Sequence, residues 1–483
     1  DSDELEALED AAEEEEAGEE ELDQEVDRAG LLYPTDKVTE LLEELKQEGL
    51  FRFLQVHVAG KTEVEIKALF IALGVLLPKN IRKGNSSPRL LVSILKTVLI
   101  RHLRQRKKLE QYSTVDDAIG LIARSRKVIV LSGSGISTSV GIPDFRSKDG
   151  IYAQLQRERK YNLADPQEMF DKDFFLHDPS CFFSFAKSIF PSNFHPSPSH
   201  RFIKLLEEKQ VLLRNYTQNI DTLEEAAGIE KVLYCHGSFS QAQCTTPGCN
   251  YKVPGSVIKP DIFAQTIPYC PQCAEKLQEK KQAAIKKSNK KKSAKDWEQE
   301  ENKDDDEEED DDGIRGLGVV KPCITFFGEK LSDEFDRCLL SDRSNVDLLI
   351  VMGTSLKVAP VSELVCHIPH KTPVILINKT PVLHMEMDIQ LLGDADGIVE
   401  YICNRLQWSL PIPDPNKSVV GGQSVAQEIS HKEKEKIPLK EEEPTRVGDS
   451  HCWLFKGAEA DTLLEILERR KQTETDTDSE DEQ

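Results

Sequence analysis

The chain of 483 residues carries a formal net charge of −24, with 38% hydrophobic and 31% charged residues. That acidity argues against broad, sequence-independent nucleic-acid binding by the whole chain, because phosphate contacts need Lys and Arg, although it leaves room for a local basic patch. No apolar run approaches the roughly 18–20 residues that span a bilayer, and the acidic start lacks the basic-then-apolar pattern of a signal peptide, so the reading is a soluble intracellular protein.

Apolar residues are dense from about Val115 to Leu410 and sparse at both ends, which predicts one folded region flanked by tails. Residues 1–30 are a Glu/Asp run read as an acidic disordered tail. Residues 31–112 read as a helical N-terminal region. Apolar residues fall at helical spacing in Val38-Leu41-Leu42-Leu45 and in Leu90-Leu91-Ile94-Leu95-Val98-Leu99, and Leu77-Pro78 interrupts the pattern between them. A basic stretch, Arg101 to Lys108, closes this region.

Residues 113–410 then show a βαβ-like alternation. Short apolar, β-branched runs stand at Val128-Ile129-Val130-Leu131, Val211-Leu212-Leu213, Leu348-Leu349-Ile350-Val351 and Val374-Ile375-Leu376-Ile377, each bounded by turn residues or a helix-like segment. Buried parallel strands read this way. Several end in Gly, Ser, Thr or Asn, and ligands of open α/β sheets bind beyond the carboxyl ends of strands. Within this region, 274–313 is a charged insertion, Lys-rich around Lys286 to Lys295 and acidic from Asp304 to Asp312, read as a disordered loop. Residues 411–483 form a polar tail with one apolar island, Cys452-Trp453-Leu454-Phe455, expected to dock over 451–459 on a sheet edge and cover its unpaired backbone groups.

Of the eleven cysteines, four fall in two close pairs, Cys244-x4-Cys249 and Cys270-x2-Cys273. In a reducing compartment that spacing suits a tetrahedral zinc site in which each pair supplies two thiolates. Four protein ligands leave no open position for a catalytic water, so one structural zinc is expected, in a module over about 236–325.

Gly133-Ser134-Gly135-Ile136-Ser137 follows the first predicted strand directly. Glycines there let backbone approach a pyrophosphate, although the third glycine of a dinucleotide fingerprint is displaced to Gly141. Gly141-Ile142-Pro143-Asp144-Phe145-Arg146 continues it, a rigid loop with a carboxylate, a ring and a guanidinium able to hold an amide-bearing base and a phosphate. Gln218-Asn219-Ile220-Asp221 and His236-Gly237 complete the set: polar residues after a strand can bind ribose hydroxyls, and a histidine can take a proton from one.

Together these segments, with Phe326-Phe327-Gly328-Glu329, Gly353-Thr354-Ser355-Leu356 and Leu376-Ile377-Asn378, resemble the sirtuins, NAD-dependent protein deacylases, in the family's order over roughly Asp116 to Cys403. The sequence looks most like the nuclear histone-deacetylase branch, from a fungus or other eukaryote. The resemblance implies an α/β fold: a Rossmann-like parallel sheet with helices on both faces, plus a smaller helical and zinc-ribbon domain, with the cleft between them. It implies two cofactors, NAD and one zinc ion. Gly133, Ser134, Gly135, Ser137 and Arg146 would cradle the NAD phosphates. Ile142 and Asp144 would hold the nicotinamide carboxamide, with Phe145 and Tyr152 beside the reacting ribose. Gln218, Asn219, Ile220 and Asp221 would orient that ribose. Gly353, Thr354, Ser355, Asn378, Lys379, Thr380 and Ala395 would take the adenosine half. His236, with Asn219, would be catalytic, and the products would be free lysine, nicotinamide and O-acetyl-ADP-ribose. The implied partners are acetyl-lysine proteins such as histones and chromatin-silencing proteins, in the nucleus, with no membrane and no sequence-specific nucleic acid. The sequence departs from the family's habit at Ser134 (usually Ala), at Thr325 (usually Val), in the x4 spacing and in the length of the insertion. Two competing readings share parts of this site: mono-ADP-ribosyl transfer to protein, and a catalytically silent chromatin scaffold.

Overall fold

A computed structural model describes residues 24–78, 81–82, 87–104, 106–158, 163–190, 194–274, 318–412, 443–461 and 464. The start of the acidic tail, the charged insertion with its Lys286–Lys295 run, and most of the C-terminal tail lie outside the described residues.

The larger sheet has eight strands in the order β10-β11-β9-β8-β7-β1-β2-β3. These are β1 (Val128–Ser132), β2 (Leu212–Thr217), β3 (Val232–Tyr234), β7 (Leu348–Met352), β8 (Val374–Asn378), β9 (Ile389–Leu392), β10 (Thr445–Arg446) and β11 (Cys452–Leu454). All neighbours are parallel except the β10–β11 pair. Every residue of β1, β7 and β8 is buried, because both faces of the sheet are covered. Val128 and Val130 point into a core shared with the helices Val115–Arg124, Pro198–Glu208 and Ala395–Leu406. Ile129 and Leu131 point into the opposite core, shared with the N-terminal helices. The strands therefore read as continuous apolar runs rather than alternating ones.

The covering helices are set by their ends. Thr114 accepts from the Asp117 N–H while the Asp117 carboxylate accepts from the Thr114 N–H, a capping box that starts Val115–Arg124 and turns Ala118, Leu121 and Ile122 inward. The N-terminal helices Thr35–Phe53, Glu63–Ala72 and Pro88–Arg104 bury Leu45, Phe70, Leu91, Leu95 and Leu99, and share one core with Leu364 and Val365 behind the sheet. Residues 24–32 are helical as well, with Ala29 buried, so the end of the segment expected as an acidic tail joins this bundle. Ala29 and Tyr33, one turn apart, face the core, and Glu25 pairs with Arg82 at 3.2 Å.

The basic stretch spans the last turn of the helix Pro88–Arg104 and the segment beyond it, and its members differ in exposure. The helix ends at Arg104, and Arg106 is buried, forking onto both carboxylate oxygens of Asp388 and onto the Thr372 carbonyl. Asp388 also accepts from the Leu109 and Val374 N–H groups. This pair ties the connecting segment to the edge of β8.

At the far edge β11 runs parallel to β9, pairing Trp453 with Leu391. The Trp453 indole N–H donates to the Ser113 carbonyl at 2.9 Å, and Phe455 meets Tyr401 edge-on at 5.4 Å.

The smaller domain is built from two insertions into the larger one, a helical segment between β1 and β2 and a three-stranded sheet between β3 and β7. Its sheet, β5-β4-β6, comprises β4 (Gly237–Cys244), β5 (Lys252–Pro254) and β6 (Val320–Ile324), all antiparallel. Beneath it, helices Lys172–His177 and Pro179–Ile189 supply a phenylalanine core in which Phe175, Phe182 and Phe326 lie 5.2–5.7 Å apart.

Candidate active site

The cleft lies between the two sheets, at the carboxyl ends of β1, β2, β7 and β8, with a volume of roughly 2440 Å³. Drug-sized ligands occupy about 300–1,000 Å³, so this cleft has room for a dinucleotide and an extended peptide together.

Its floor is built from glycines in contact with one another. The Gly133 N–H donates to the Met352 carbonyl and the Gly135 N–H to the Gly353 carbonyl, at 3.0 and 2.8 Å. A Cβ on Gly135 would come within 2.7 Å of the Gly353 Cα, and one on Gly133 within 2.7 Å of the Thr354 Cβ. Gly353 itself has φ +62°. The two turns can approach so closely only without side chains. Ser134, Gly135, Gly353, Thr354 and Ser355 line the cleft, while Gly133 lies beneath it.

The loop after Gly141 is held by Asp144, whose Oδ1 accepts from the Arg146 and Ser147 N–H groups at 2.8 and 2.7 Å. Phe145 packs between Tyr152 and Phe170, and the Arg146 guanidinium lies 5.7 Å above the Tyr152 ring. Ile142, Asp144, Phe145, Arg146 and Tyr152 all face the cleft.

Beyond β2, the Gln218 N–H donates to the Ser132 carbonyl and its Oε1 accepts from the Thr354 hydroxyl, leaving the buried Nε2 without a partner. Asn219 and Ile220 also reach the cleft. Ser137 and Asp221 stand one layer behind. The Ser137 hydroxyl donates to Asp221 at 2.7 Å and accepts from the Asn219 amide at 3.3 Å. Asp221 thus orients Asn219 through Ser137.

His236 occupies the crossing from β3 to β4. Gly237, at φ +66°, has no room for a Cβ, which would fall 1.9 Å from the Cys323 carbonyl. The His236 Nδ1 lies 3.1 Å from the Gln218 carbonyl, so Nδ1–H donates there and Nε2 keeps its lone pair for the cleft. Burial lowers its pKa below the ordinary 6.5, partly opposed by the bond to Gln218, and keeps the ring neutral. The His236 carbonyl accepts from the Thr325 N–H at 2.8 Å, which sets the end of β6 beside the imidazole.

At the other end, Asn378 folds its amide onto the Thr380 carbonyl, and Asn378, Lys379, Thr380 and Ala395 line the cleft. Lys379 pairs with Glu459 at 2.9 Å, so the C-terminal segment forms part of this wall. Lys456 and Glu459, like Leu331, Phe335 and Lys357 toward β7, are cleft residues that the sequence did not reveal. Lys456 and Glu459 belong to the segment expected to dock on a sheet edge, but only the folded chain shows that docking brings them to the cleft.

The four cysteines converge at the tip of the smaller sheet. Cys244–Cys273 and Cys249–Cys270 sulfurs are each 3.8 Å apart, and all four lie within 4.8 Å of one another. A tetrahedron of Zn–S bonds of about 2.3 Å has edges of about 3.8 Å, so the thiols fit one structural zinc.

A parallel nucleotide-type sheet, a four-thiol ribbon and a dinucleotide-sized cleft between them, with one neutral histidine, define a two-domain α/β nucleotide-site class. Residues 133–360 match the model of the Sir2 family. The chain is 38% identical to the NAD-dependent histone deacetylase sir2 of Schizosaccharomyces pombe, over 77% of this chain and 76% of that one. It belongs to the Sir2 family. It is also 45% identical to the NAD-dependent histone deacetylase sirtuin-1 of Drosophila melanogaster, over 64% of this chain and 35% of that one, and 41% identical to the NAD-dependent protein deacetylase sirtuin-1 of Mus musculus, over 74% and 42%. The chain therefore spans less than half the length of those two relatives. Among the described residues no helix is long and apolar enough to cross a membrane.

Proposed function

We propose that this chain is an NAD-dependent protein-lysine deacetylase in which His236 is the general base. The observation that carries the reading is the Nδ1–H bond of His236 to the Gln218 carbonyl, which leaves an unprotonated Nε2 facing a cleft of dinucleotide size. NAD, when bound, would supply the ribose carbon that accepts the acyl oxygen as nicotinamide departs, and one water consumed afterwards would release the lysine amine, so that the products are free lysine, nicotinamide and O-acetyl-ADP-ribose. Ser134, Gly135 and Arg146 would hold its phosphates, with Gly133 shaping the turn. Ile142, Asp144, Phe145 and Tyr152 would enclose the nicotinamide end and exclude water. The unpartnered Gln218 Nε2 supports a polar ligand at this point. Asn219 and Ile220 would face the ribose, with Asp221 and Ser137 fixing Asn219 from behind. Gly353, Thr354, Ser355, Asn378, Lys379, Thr380 and Ala395 would hold the adenosine half.

His236 would take a proton from a ribose hydroxyl through Nε2, with the Gln218 carbonyl steadying the imidazolium at Nδ1. The acetylated peptide would lie along Thr325 to Glu329 at the end of β6. The Lys321 ammonium, 3.1 Å from Glu329, and the Glu329 carboxylate, which accepts from the Phe326 N–H, stiffen that edge. Histones and other chromatin proteins are the proposed substrates and the nucleus the proposed location, as the printed names of the relatives favour. Mass spectrometry of acetyl-lysine peptides incubated with and without NAD tests this. Free lysine with acetylated ADP-ribose is expected, and a peptide carrying ADP-ribose would move the chain to the transferase reading.

A further inference from the structure

Behind Asn219 lies a buried polar cluster in which Asp221 meets two residues, His200 and Glu224, to which the mechanism above gives no task. A ring nitrogen of His200 and one carboxylate oxygen from each of Asp221 and Glu224 lie within 4.8 Å of one another, and His200 and Glu224 have no solvent exposure at all. Among the described residues neither carboxylate has a lysine or arginine partner. Two adjacent buried carboxylates without a cation do not both stay ionised.

The hydrogen bonds indicate where the shared proton sits. The Ser197 hydroxyl has one proton and donates it to the Ile136 carbonyl at 2.8 Å. His200 Nδ1, 2.8 Å from that same oxygen, must then be the donor to it, and this contact outweighs the 3.3 Å approach of the Ser197 N–H to Nδ1. His200 Nε2 is consequently a buried lone pair, and among the described residues it has no partner. Asp221 already accepts at both oxygens, from the Ser137 hydroxyl and the Leu223 N–H. Glu224 accepts from the Thr217 hydroxyl at Oε1 only, and its buried Oε2 has no partner. Thr217 Oγ1 in turn accepts from the Asn219 N–H at 3.1 Å.

We propose that Glu224 is a positioning residue for the reaction proposed above: kept as a neutral acid beside the Asp221 carboxylate, it accepts the Thr217 hydroxyl at Oε1 and thereby fixes the backbone of Asn219. Burial first, and the Asp221 charge second, push the Glu224 pKa up to about 8, and burial alone pushes His200 down to about 3, so both groups are neutral near pH 7. Asn219 is then held twice, at its side chain by Asp221 through Ser137 and at its backbone by Glu224 through Thr217.

The inference rests on the deacetylase reading, and two measurements separate them. Infrared spectroscopy of the full chain at neutral pH is expected to show a buried carboxylic-acid C=O band that Glu224→Gln removes. Its absence in the wild-type protein would overturn the proposal whether or not the chain is a deacetylase. In steady-state assays with an acetyl peptide and NAD, Glu224→Gln, a neutral isostere that can still accept from Thr217, is expected to keep kcat near wild type. Glu224→Ala is expected to lose about a hundredfold in kcat, the scale of a misplaced catalytic group, with KM for the peptide unchanged. Glu224→Gln as impaired as Glu224→Ala, or Glu224→Ala as active as wild type, would contradict it. A wild-type chain that yields no acetylated ADP-ribose would refute the deacetylase reading alone, and the infrared band would still decide the proton on Glu224.

Discussion

The two sheets of this molecule are stabilised by different means. The parallel sheet is covered on both faces by aliphatic side chains, with every residue of β1, β7 and β8 buried. The smaller sheet has three antiparallel strands, one of them only three residues long, between a phenylalanine core and four thiols. A three-stranded sheet of this size is not stable alone and depends on packing against its helices and on the thiol-bound metal expected at its tip. The cleft lies where the two regions meet. Its phosphate and adenosine side belongs to the parallel sheet, whereas its peptide side and the loop of Phe145 and Tyr152 rest on the smaller domain, so perturbing the smaller domain should affect peptide binding most.

The largest effect expected is at the thiols. Replacing Cys270 or Cys273 with Ser should release zinc and unfold the smaller domain, since structural zinc supplies roughly 10–16 kcal/mol of apparent binding energy in small domains. Zinc analysis together with circular dichroism checks this, and NAD binding by the parallel sheet should decline less than peptide binding. A wild-type protein without zinc would remove the contrast between the regions.

His236→Ala comes next. It should keep the fold and NAD affinity while lowering deacetylation by about 10²- to 10⁴-fold, as measured by product formation at saturating substrates. On the aliphatic side, Ile350→Ala in fully buried β7 should destabilise the chain by about 2–5 kcal/mol, read by urea unfolding, without releasing zinc.

The contrast also explains what was legible in the sequence. β1, β7 and β8 stood out because burial on both faces makes them unbroken apolar runs, whereas β2 showed only in its first residues, since Arg214 and Asn215 break its run. β3 and β9 did not, since Val232-Leu233-Tyr234 is too short to read and Ile389-Gln390-Leu391-Leu392 carries a buried glutamine. The zinc thiols were legible because metal geometry demands close pairs. Residues of the phosphate loop and the sugar-facing segment were legible as motifs, and the structure brings them to one cleft. Their layering was not: nothing in the sequence separates Asn219, at the surface of the cleft, from Asp221 behind it. Arg106 shows the same limit. Its neighbours make it look like part of a surface basic patch, and only its pairing with Asp388, 282 residues away, buries it.

Smaller effects sharpen the comparison at the sheet edge. Deleting residues 443–483 uncovers β9 and removes Glu459 from Lys379. We expect a lower thermal midpoint and weaker NAD binding with zinc retained, and partial restoration by the peptide added in trans. The smallest is a shift in pH dependence. The general base must be neutral, and His236 has a pKa below the ordinary 6.5 because it is buried. Activity should therefore persist as pH falls through 6.5 and be lost only on the acid side of that value, where the ring gains its proton. A kcat/KM profile that declines above 6.5 would contradict the burial argument.

The measurement that tests the account most directly is product analysis of one acetyl-lysine peptide incubated with NAD and either the wild-type chain or His236→Ala. The account predicts equal amounts of free-lysine peptide, nicotinamide and O-acetyl-ADP-ribose from the wild type, and a trace of each from the variant despite intact NAD binding. Near-normal turnover by His236→Ala, or peptide deacetylated without NAD, would contradict it.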